Sequence, residues 1–524
     1  MPGKFAAKKS KEKKPEKATR ATDGFKRVLE SYKVEADKVQ VEVDIADDKE
    51  SFVKMYLLNI PEYGPGTRAL LDSLKGSIIS EATIEAEKMF DVKFVSALKE
   101  RFSRRAESIL QKELPNITPE IKNTLIGMLL QEMLGLGIIE FLLNDANLEE
   151  IVINTSTEPM WVYHRKYGWL KTNINIVKEN EIQNYASIIA RRVGKQITIL
   201  DPLLDAHLIT GDRANATLFP ISGKGNTLTI RRFRREPWTV TDFIENGTAT
   251  AEIMALVWTA MEYELNMIVS GGTASGKTSF LNICMPFIQP NHRIISIEDT
   301  RELLMPEFLH WVPLTTREPN PEGKGGVDML DLLVNSLRMR PDRIIVGEVR
   351  RQREAEVMFE GMHTGHSVYT TVHADTAEET IHRLTNPPIS IPPSMLTTVH
   401  LNVVMFRNRR LGVRRILQVA EYVPEKRTED IEIVKPNILY RWKAANDIIS
   451  KHADSIRLYD ELGLYTGMSQ DEINRELKVK QAILRWMVEK KINAVNDVGK
   501  LIALYYKNSD EVINMVKENK RPEL

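Results

Sequence analysis

The sequence predicts an α/β fold. Its centre is a parallel sheet with helices on both faces, preceded by an α+β domain and followed by a helical region. Three observations lead there. From about 250 to 425 the chain alternates strand, loop and helix, the pattern of a doubly covered parallel sheet. A glycine-rich loop, Gly271-Gly272-Thr273-Ala274-Ser275-Gly276-Lys277-Thr278, lies between the short apolar run Met267–Ser270 and a helical opening at Ser279. Two further β-branched runs, Ile294–Ile297 and Ile344–Val346, end in acids.

The chain has 524 residues, of which 42% are hydrophobic, enough for about three domains. Lys+Arg and Asp+Glu both number 72. Zero net charge excludes a protein basic throughout, such as a nucleic-acid coat, but leaves room for local patches. Residues 1–20 hold eight Lys/Arg and two Glu, and residues 1–25 read as a disordered basic arm. Such an arm is either a solubilising tail or a contact for an acidic lipid surface. The single cysteine, Cys284, permits neither an internal disulfide nor a four-cysteine zinc site. There is no apolar leader at the N-terminus. Met128–Leu143, the longest apolar-looking stretch, carries Glu132 and Glu140 and reads as an amphipathic core helix. A cytoplasmic protein is expected.

Residues 26–240 are expected to form an N-terminal α+β domain. Val39–Val43 alternates like a strand, and Thr67 to about Leu143 is mostly helical. Strand signals follow at Glu150–Asn154, Met160–His164, Thr198–Leu200 and Thr227–Arg231, with a helix over 181–193. A linker is expected near 234–240. The core is assigned to 241–430, and 431–524 is expected to be helical. In that tail Ile483, Trp486 and Met487 share one face, as do Val498, Leu501, Ile502 and Tyr505.

The glycine-rich loop lets several backbone N–H groups turn toward a polyphosphate, and the following helix N-terminus adds positive potential. Lys277 is placed to reach the β- and γ-phosphates of a nucleoside triphosphate, and the Thr278 hydroxyl to ligate Mg²⁺. Glu298 and Asp299 stand at a strand end, where ligands of open parallel sheets sit. They are candidates for holding Mg²⁺ through water or orienting the attacking water; a solvated strand end is the alternative. Glu348 ends the Ile344–Val346 run and can polarise water. The Thr364–His373 segment brings His366 and His373. Either can sense a γ-phosphate, or simply be a satisfied polar residue.

The order of these four segments, including Arg340-Pro341-Asp342-Arg343-Ile344-Ile345-Val346-Gly347-Glu348 and Thr364-Gly365-His366, resembles the secretion ATPases that drive type II secretion, type IV pilus assembly and the archaellum. The segments correspond to that family's Walker A, Asp box, Walker B and His box, with Gly347 where Walker B usually has aspartate. The resemblance covers about 140 to 425. It implies a RecA-like ATPase core using ATP and Mg²⁺, with Lys277 and Thr278 binding nucleotide and metal. Glu298 and Glu348 become the candidates for the water-orienting acid, with His366 and His373 as His-box residues.

Asp205-Ala206-His207, Gly211–Ala216 and Leu228–Phe233 resemble the family's N-terminal domain, making Arg213, Arg231 and Arg232 candidate charge-stabilising fingers or, equally, salt-bridge residues. The lone cysteine places the chain with the archaeal branch, which lacks the zinc subdomain. Val349–Ala355 is one residue longer than the family pattern, leaving Arg350, Arg351 and Arg353 without assigned roles. The resemblance further implies a homo-hexamer at the inner face of the cell membrane. Its N-terminal domain would move against the core and push a polytopic membrane platform protein. Nucleic acid is not an expected partner. The rival readings are a DNA-transfer or helicase-like motor, with Arg231–Arg235 as its basic stretch, and a nucleotide-gated scaffold with little turnover.

Overall fold

The computed structural model describes residues 27–47, 52–60, 64–81, 92–208, 211–232, 237–319, 323–428 and 431–522. The basic arm and most of the expected linker, 233–236, lie outside them. The chain divides into two compact units, Met1–Arg234 and Arg235–Leu524.

The first unit is built on nine strands: β1 (Arg27–Ala36), β2 (Val39–Asp47), β3 (Met55–Asn59), β4 (Leu148–Ile153), β5 (Trp161–His164), β6 (Gly168–Thr172), β7 (Leu203–His207), β8 (Arg213–Thr217) and β9 (Thr227–Arg231). Their order is β1-β2-β3-β6-β5-β4-β9-β8-β7, antiparallel except between β3 and β6. One face of the sheet is buried. Ala214 and Ala216 of β8, and Leu228 and Ile230 of β9, point into the core while Arg213, Asn215 and Arg231 point out. This is the alternation expected of a sheet packed on one side. The helices Pro65–Glu81, Val92–Glu113 and Pro119–Leu134 close a separate apolar cluster around Leu74, Phe102, Leu110 and Leu129.

Two expectations for this unit are corrected. The Met128–Leu143 stretch is not one helix. It breaks after Leu134, where Gly137 takes a left-handed φ of 57°, and resumes as Ile139–Asn144. Its charges are satisfied: Glu132 pairs with Lys75 at 3.2 Å, and Glu140 accepts the Leu136 amide at 2.9 Å. Thr198–Leu200 is a turn rather than a strand. The Thr198 hydroxyl accepts the Asp201 amide, and Pro202 offers no N–H to a ladder, so the strand begins at Leu203.

The second unit carries the other nine strands: β10 (Met267–Gly271), β11 (Ile294–Glu298), β12 (Trp311–Thr315), β13 (Arg343–Val346), β14 (Ser367–Val372), β15 (Leu401–Asn408), β16 (Val413–Thr428), β17 (Ile431–Lys443) and β18 (Ile448–Lys451). Their order is β12-β11-β13-β14-β10-β15-β16-β17-β18. The first six are parallel, and the last three extend the sheet antiparallel. Every residue of β10, β11, β13 and β14 is buried, as strands covered by helices on both faces require.

Residues 431–451 therefore do not belong to the helical region, which begins at Leu458. The alternating run Ile431-Glu432-Ile433-Val434 is strand chemistry, and β16 offers it a long edge to pair with. The helices Leu458–Thr466, Gln470–Glu489, Val495–Lys507 and Ser509–Lys517 follow, and Ile483, Trp486, Met487, Val498, Leu501 and Ile502 are buried as their spacing predicts. They pack on the helix Ala251–Glu262. At that junction Lys480 is fully buried, donating to Thr259 Oγ1 at 2.9 Å and to Glu262 and Glu476. Among the described residues no helix is long and apolar enough to cross a membrane.

Candidate nucleotide site

The parallel register places the C-terminal tips of β10, β11, β13 and β14 along one edge of the sheet. The glycine-rich loop leaves β10 there, and the helix Lys277–Cys284 follows it. Two glycines are sterically required. At Gly271 (φ 149°) a Cβ would lie 2.3 Å from the Met405 carbonyl oxygen and 2.5 Å from Ser275 Oγ. At Gly276 the backbone is left-handed, φ 100°, as the chain turns into the helix. The amides of that helix's first turn have no partner within the helix.

Lys277 is folded back over the loop. Its Nζ donates to the carbonyls of Gly271 at 2.8 Å and Gly272 at 3.1 Å. Those carbonyls hold the ammonium where phosphate oxygens would compete for it. Burial lowers its pKa from the ordinary lysine value. Ser275 Oγ is buried without a hydrogen-bond partner. A buried hydroxyl left unpaired in this glycine-rich loop, at a helix N-terminus, fits an anion supplied from outside. The loop thus fits the polyphosphate of a nucleotide.

The acids stand on the neighbouring tips. Glu348 lies two residues beyond β13, where the Thr371 hydroxyl donates to the Gly347 carbonyl at 2.6 Å. His373, just beyond β14, bridges Glu348 and Lys277: its Nε2 is 3.2 Å from Glu348 Oε1 and its Nδ1 3.4 Å from Lys277 Nζ. That pairing assigns a neutral ring with its proton on Nε2, donating to the carboxylate and accepting from the ammonium. Burial, reinforced by Lys277, lowers the His373 pKa in agreement.

Arg350 completes the group. Its guanidinium donates to Glu348 Oε2 at 2.8 Å and to Asp299 Oδ2 at 3.1 Å, tying the tips of β13 and β11 together. Sequence reasoning left Arg350, Arg351 and Arg353 without roles. The structure separates them. Arg350 faces the acids, the Arg351 amide is capped by Glu354 Oε2 at 3.1 Å, and Arg353 pairs with Glu356 on the surface at 3.0 Å. Glu354 three residues after Arg351 was the available signal, because an acid at that spacing caps the helix Gln352–His363 at Arg351 and leaves Arg350 ahead of it.

Glu298 differs from Glu348. It is buried, its Oε1 accepts the amides of Glu302 at 2.8 Å and Leu303 at 3.0 Å, and its Oε2 has no partner. Burial raises its pKa to about 7. Asp299 accepts from Arg350 and from the Thr316 hydroxyl. Among the described residues no group of three or more His, Cys, Asp or Glu could hold a metal by itself. A Mg²⁺ here would therefore need phosphate oxygens and water as ligands besides Thr278 and Asp299.

His366 does not join this cluster. It precedes β14 while His373 follows it, which puts roughly 20 Å of strand between them. Its Nδ1 contacts the Thr364 hydroxyl and the Gly361 carbonyl instead. The three arginine candidates belong to the first unit. Arg213 donates to Asp205 Oδ1 at 3.0 Å through Nε and pairs with the same carboxylate through Nη2. Arg231 points out from the end of β9. Arg232 is committed to backbone, donating to the Leu148 carbonyl at 3.0 Å and to that of Asp145. Cys284 is fully buried, and burial raises its thiol pKa well above the usual value.

The family model for type II/IV secretion system proteins matches residues 212–433. An uncharacterised protein of Methanocaldococcus jannaschii is 34% identical over 403 residues, covering 75% of this chain and 72% of its own. A putative conjugal transfer protein of Mycobacterium tuberculosis is 31% identical over 262 residues, covering 48% and 73%. Among solved structures, the VirB11 ATPase of the Brucella suis type IV secretion system aligns over 53% of this chain and 90% of its own, at 24% identity and a TM-score of 0.28. The chain belongs to the family of type II/IV secretion system proteins.

Proposed function

We propose that the chain is an ATP-hydrolysing motor that powers assembly of a type IV pilus-like filament or archaellum, or related secretion. The observation that carries this reading is the contact chain from Lys277 through His373 to Glu348, beside a loop shaped for phosphates. A switch that only binds nucleotide needs the loop and the lysine. It does not need a carboxylate held one imidazole away from them. In this reading Lys277 and the loop Gly271–Thr278 bind ATP. Glu348 orients the attacking water, and His373 reports the γ-phosphate to it. Thr278, and Asp299 through water, would hold Mg²⁺, which would supply charge neutralisation on the phosphates. Glu298 serves as the buried acid beneath the site, since its backbone partners fix it in place.

The oligomer is a hexamer at the inner face of the membrane. Arg213 and Arg231 of the N-terminal unit are offered to nucleotide as that unit moves, which converts hydrolysis into a push on a polytopic membrane platform protein. The basic arm, with eight Lys/Arg in residues 1–20, suits an acidic lipid surface. The conjugal transfer relatives favour a second reading, a motor for DNA transfer.

The deciding experiment measures Mg²⁺-dependent ATP hydrolysis by the purified full chain, with anionic vesicles or with single-stranded DNA. The expected result is hydrolysis that Lys277→Ala abolishes and that DNA does not stimulate. Strong stimulation by DNA and none by vesicles selects the transfer motor. Tight binding with no measurable turnover selects a nucleotide-gated scaffold.

A further inference from the structure

The turn between β15 and β16 is unusually cationic. Arg407, Arg409, Arg410, Arg414 and Arg415 fall within nine residues, and no acid lies among them. Two of these side chains leave the hairpin in different directions. Arg415 is buried and forms a two-pronged pair with Asp447, at 2.8 and 2.7 Å. Arg414 is exposed and turns to the phosphate loop, where its Nε donates to the Ala274 carbonyl at 3.1 Å. Its Cδ is also near, 3.6 Å from where a Cβ on Gly276 would sit.

Ala274 is a strained place to be held. Its φ is 59°, left-handed in a residue with a Cβ, and such conformations persist only where the surroundings enforce them. The Arg414 contact is one such constraint. A guanidinium has five N–H donors in a rigid fork, and one is spent on Ala274. The rest of the fork stands beside a cradle whose buried Ser275 hydroxyl lacks a partner.

We propose that Arg414 is a nucleotide-binding residue, supplying a second fixed positive charge to the polyphosphate from the side of the loop opposite His373. The proposal rests on reading Gly271–Thr278 as a phosphate loop. Lys277 contributes a point charge and Arg414 a planar fork suited to two phosphate oxygens at once. The Ala274 contact holds the guanidinium beside the loop.

The test is titration of the full chain with a fluorescent ATP and a fluorescent ADP, with KM and kcat measured alongside. Arg414→Ala is expected to weaken both nucleotides about tenfold or more, the size of one charge-assisted contact, and to raise KM more than it lowers kcat. Arg414→Gln keeps a donor for Ala274 without charge and is expected to stay weak. Arg414→Lys recovers part of the affinity. Wild-type affinity in Arg414→Ala overturns the proposal. So does full recovery in Arg414→Gln, which would mean that the side chain only braces the loop. Lys277→Ala separates the two levels: if it binds nucleotide as the wild type does, the phosphate-loop reading falls and Arg414 with it. If it loses binding while Arg414→Ala does not, only the Arg414 proposal falls.

Discussion

The two nine-stranded sheets bury their strands differently, and the difference decides where each can carry chemistry. In the first unit β8 and β9 alternate, with Ala214, Ala216, Leu228 and Ile230 inside and Arg213, Asn215 and Arg231 outside. Polar function can sit anywhere along such a strand. In the second unit β10, β11, β13 and β14 are buried throughout. Their middles are closed to solvent, so reactive groups are confined to the tips, where the glycine-rich loop, Glu298, Glu348 and His373 gather.

The contrast can be broken in several ways, the largest first. Lys277→Ala at the core edge should reduce ATP turnover by about 10³-fold or more, measured as phosphate release, since it removes the charge at the phosphates. A residual rate above a tenth of wild type would separate the loop from the chemistry.

The strand interiors come next. Ile344→Ala and Ile345→Ala, adjacent on β13 and both buried, should each cost about 2–5 kcal/mol in denaturant unfolding. On β9 the neighbours should split. Ile230→Ala, at a buried position, should cost about as much, and half-buried Thr229→Ala less than about 1 kcal/mol. Equal losses on β9 would erase the distinction between the sheets.

Glu298 gives a smaller, pH-dependent effect. Its folded pKa of about 7 lies above the ordinary 4.5, so the folded state holds a proton that the unfolded chain releases. The stability tied to that proton is present below pH 4.5 and is lost as pH rises through 7. Glu298→Gln keeps an oxygen for the two backbone amides and has nothing to titrate. The variant should therefore gain on the wild type between pH 5 and 8, by up to about 3 kcal/mol, read from melting temperatures across that range. A difference flat with pH would mean that Glu298 is ionised in the fold.

Smallest is Arg213→Ala. Its pair with Asp205 is solvent-exposed, so stability should change by less than about 1 kcal/mol. Loss of ATP turnover without loss of stability would identify Arg213 as a finger acting on nucleotide. An unchanged rate would leave it a salt-bridge residue.

The same contrast explains what the sequence made legible. Several buried parallel strands are mostly apolar, β-branched runs bounded by functional residues, so Met267–Ser270, Ile294–Ile297 and Ile344–Val346 are legible together with the residues at their tips. Two positive-φ positions of the loop, Gly271 and Gly276, carry glycine and are legible, whereas Ala274 takes the same region without that signal. The half-buried sheet was less legible, because short alternating segments resemble turns: Thr198–Leu200 was misplaced, and β7 began only after Pro202. The β17 and β18 extension was hidden for a different reason. It pairs with β16 as a hairpin, Thr428 facing Ile431, but Pro436 inside β17 reads as a break in a strand run. His366 and His373 looked equivalent in a seven-residue spacing. Only the direction of β14 separates them. Arg232 reads as a charge-stabilising finger or a salt-bridge residue, but it donates to backbone carbonyls that no side-chain pattern announces.

The central claim is that the tips of the parallel strands form a hydrolytic site in which Glu348 orients water. The most direct test is Glu348→Gln, measured for ATP affinity and for turnover in one preparation. The account predicts wild-type binding with hydrolysis reduced about 10²-fold or more, ATP remaining intact on the protein. Hydrolysis at the normal rate would contradict it and pass the role to another group.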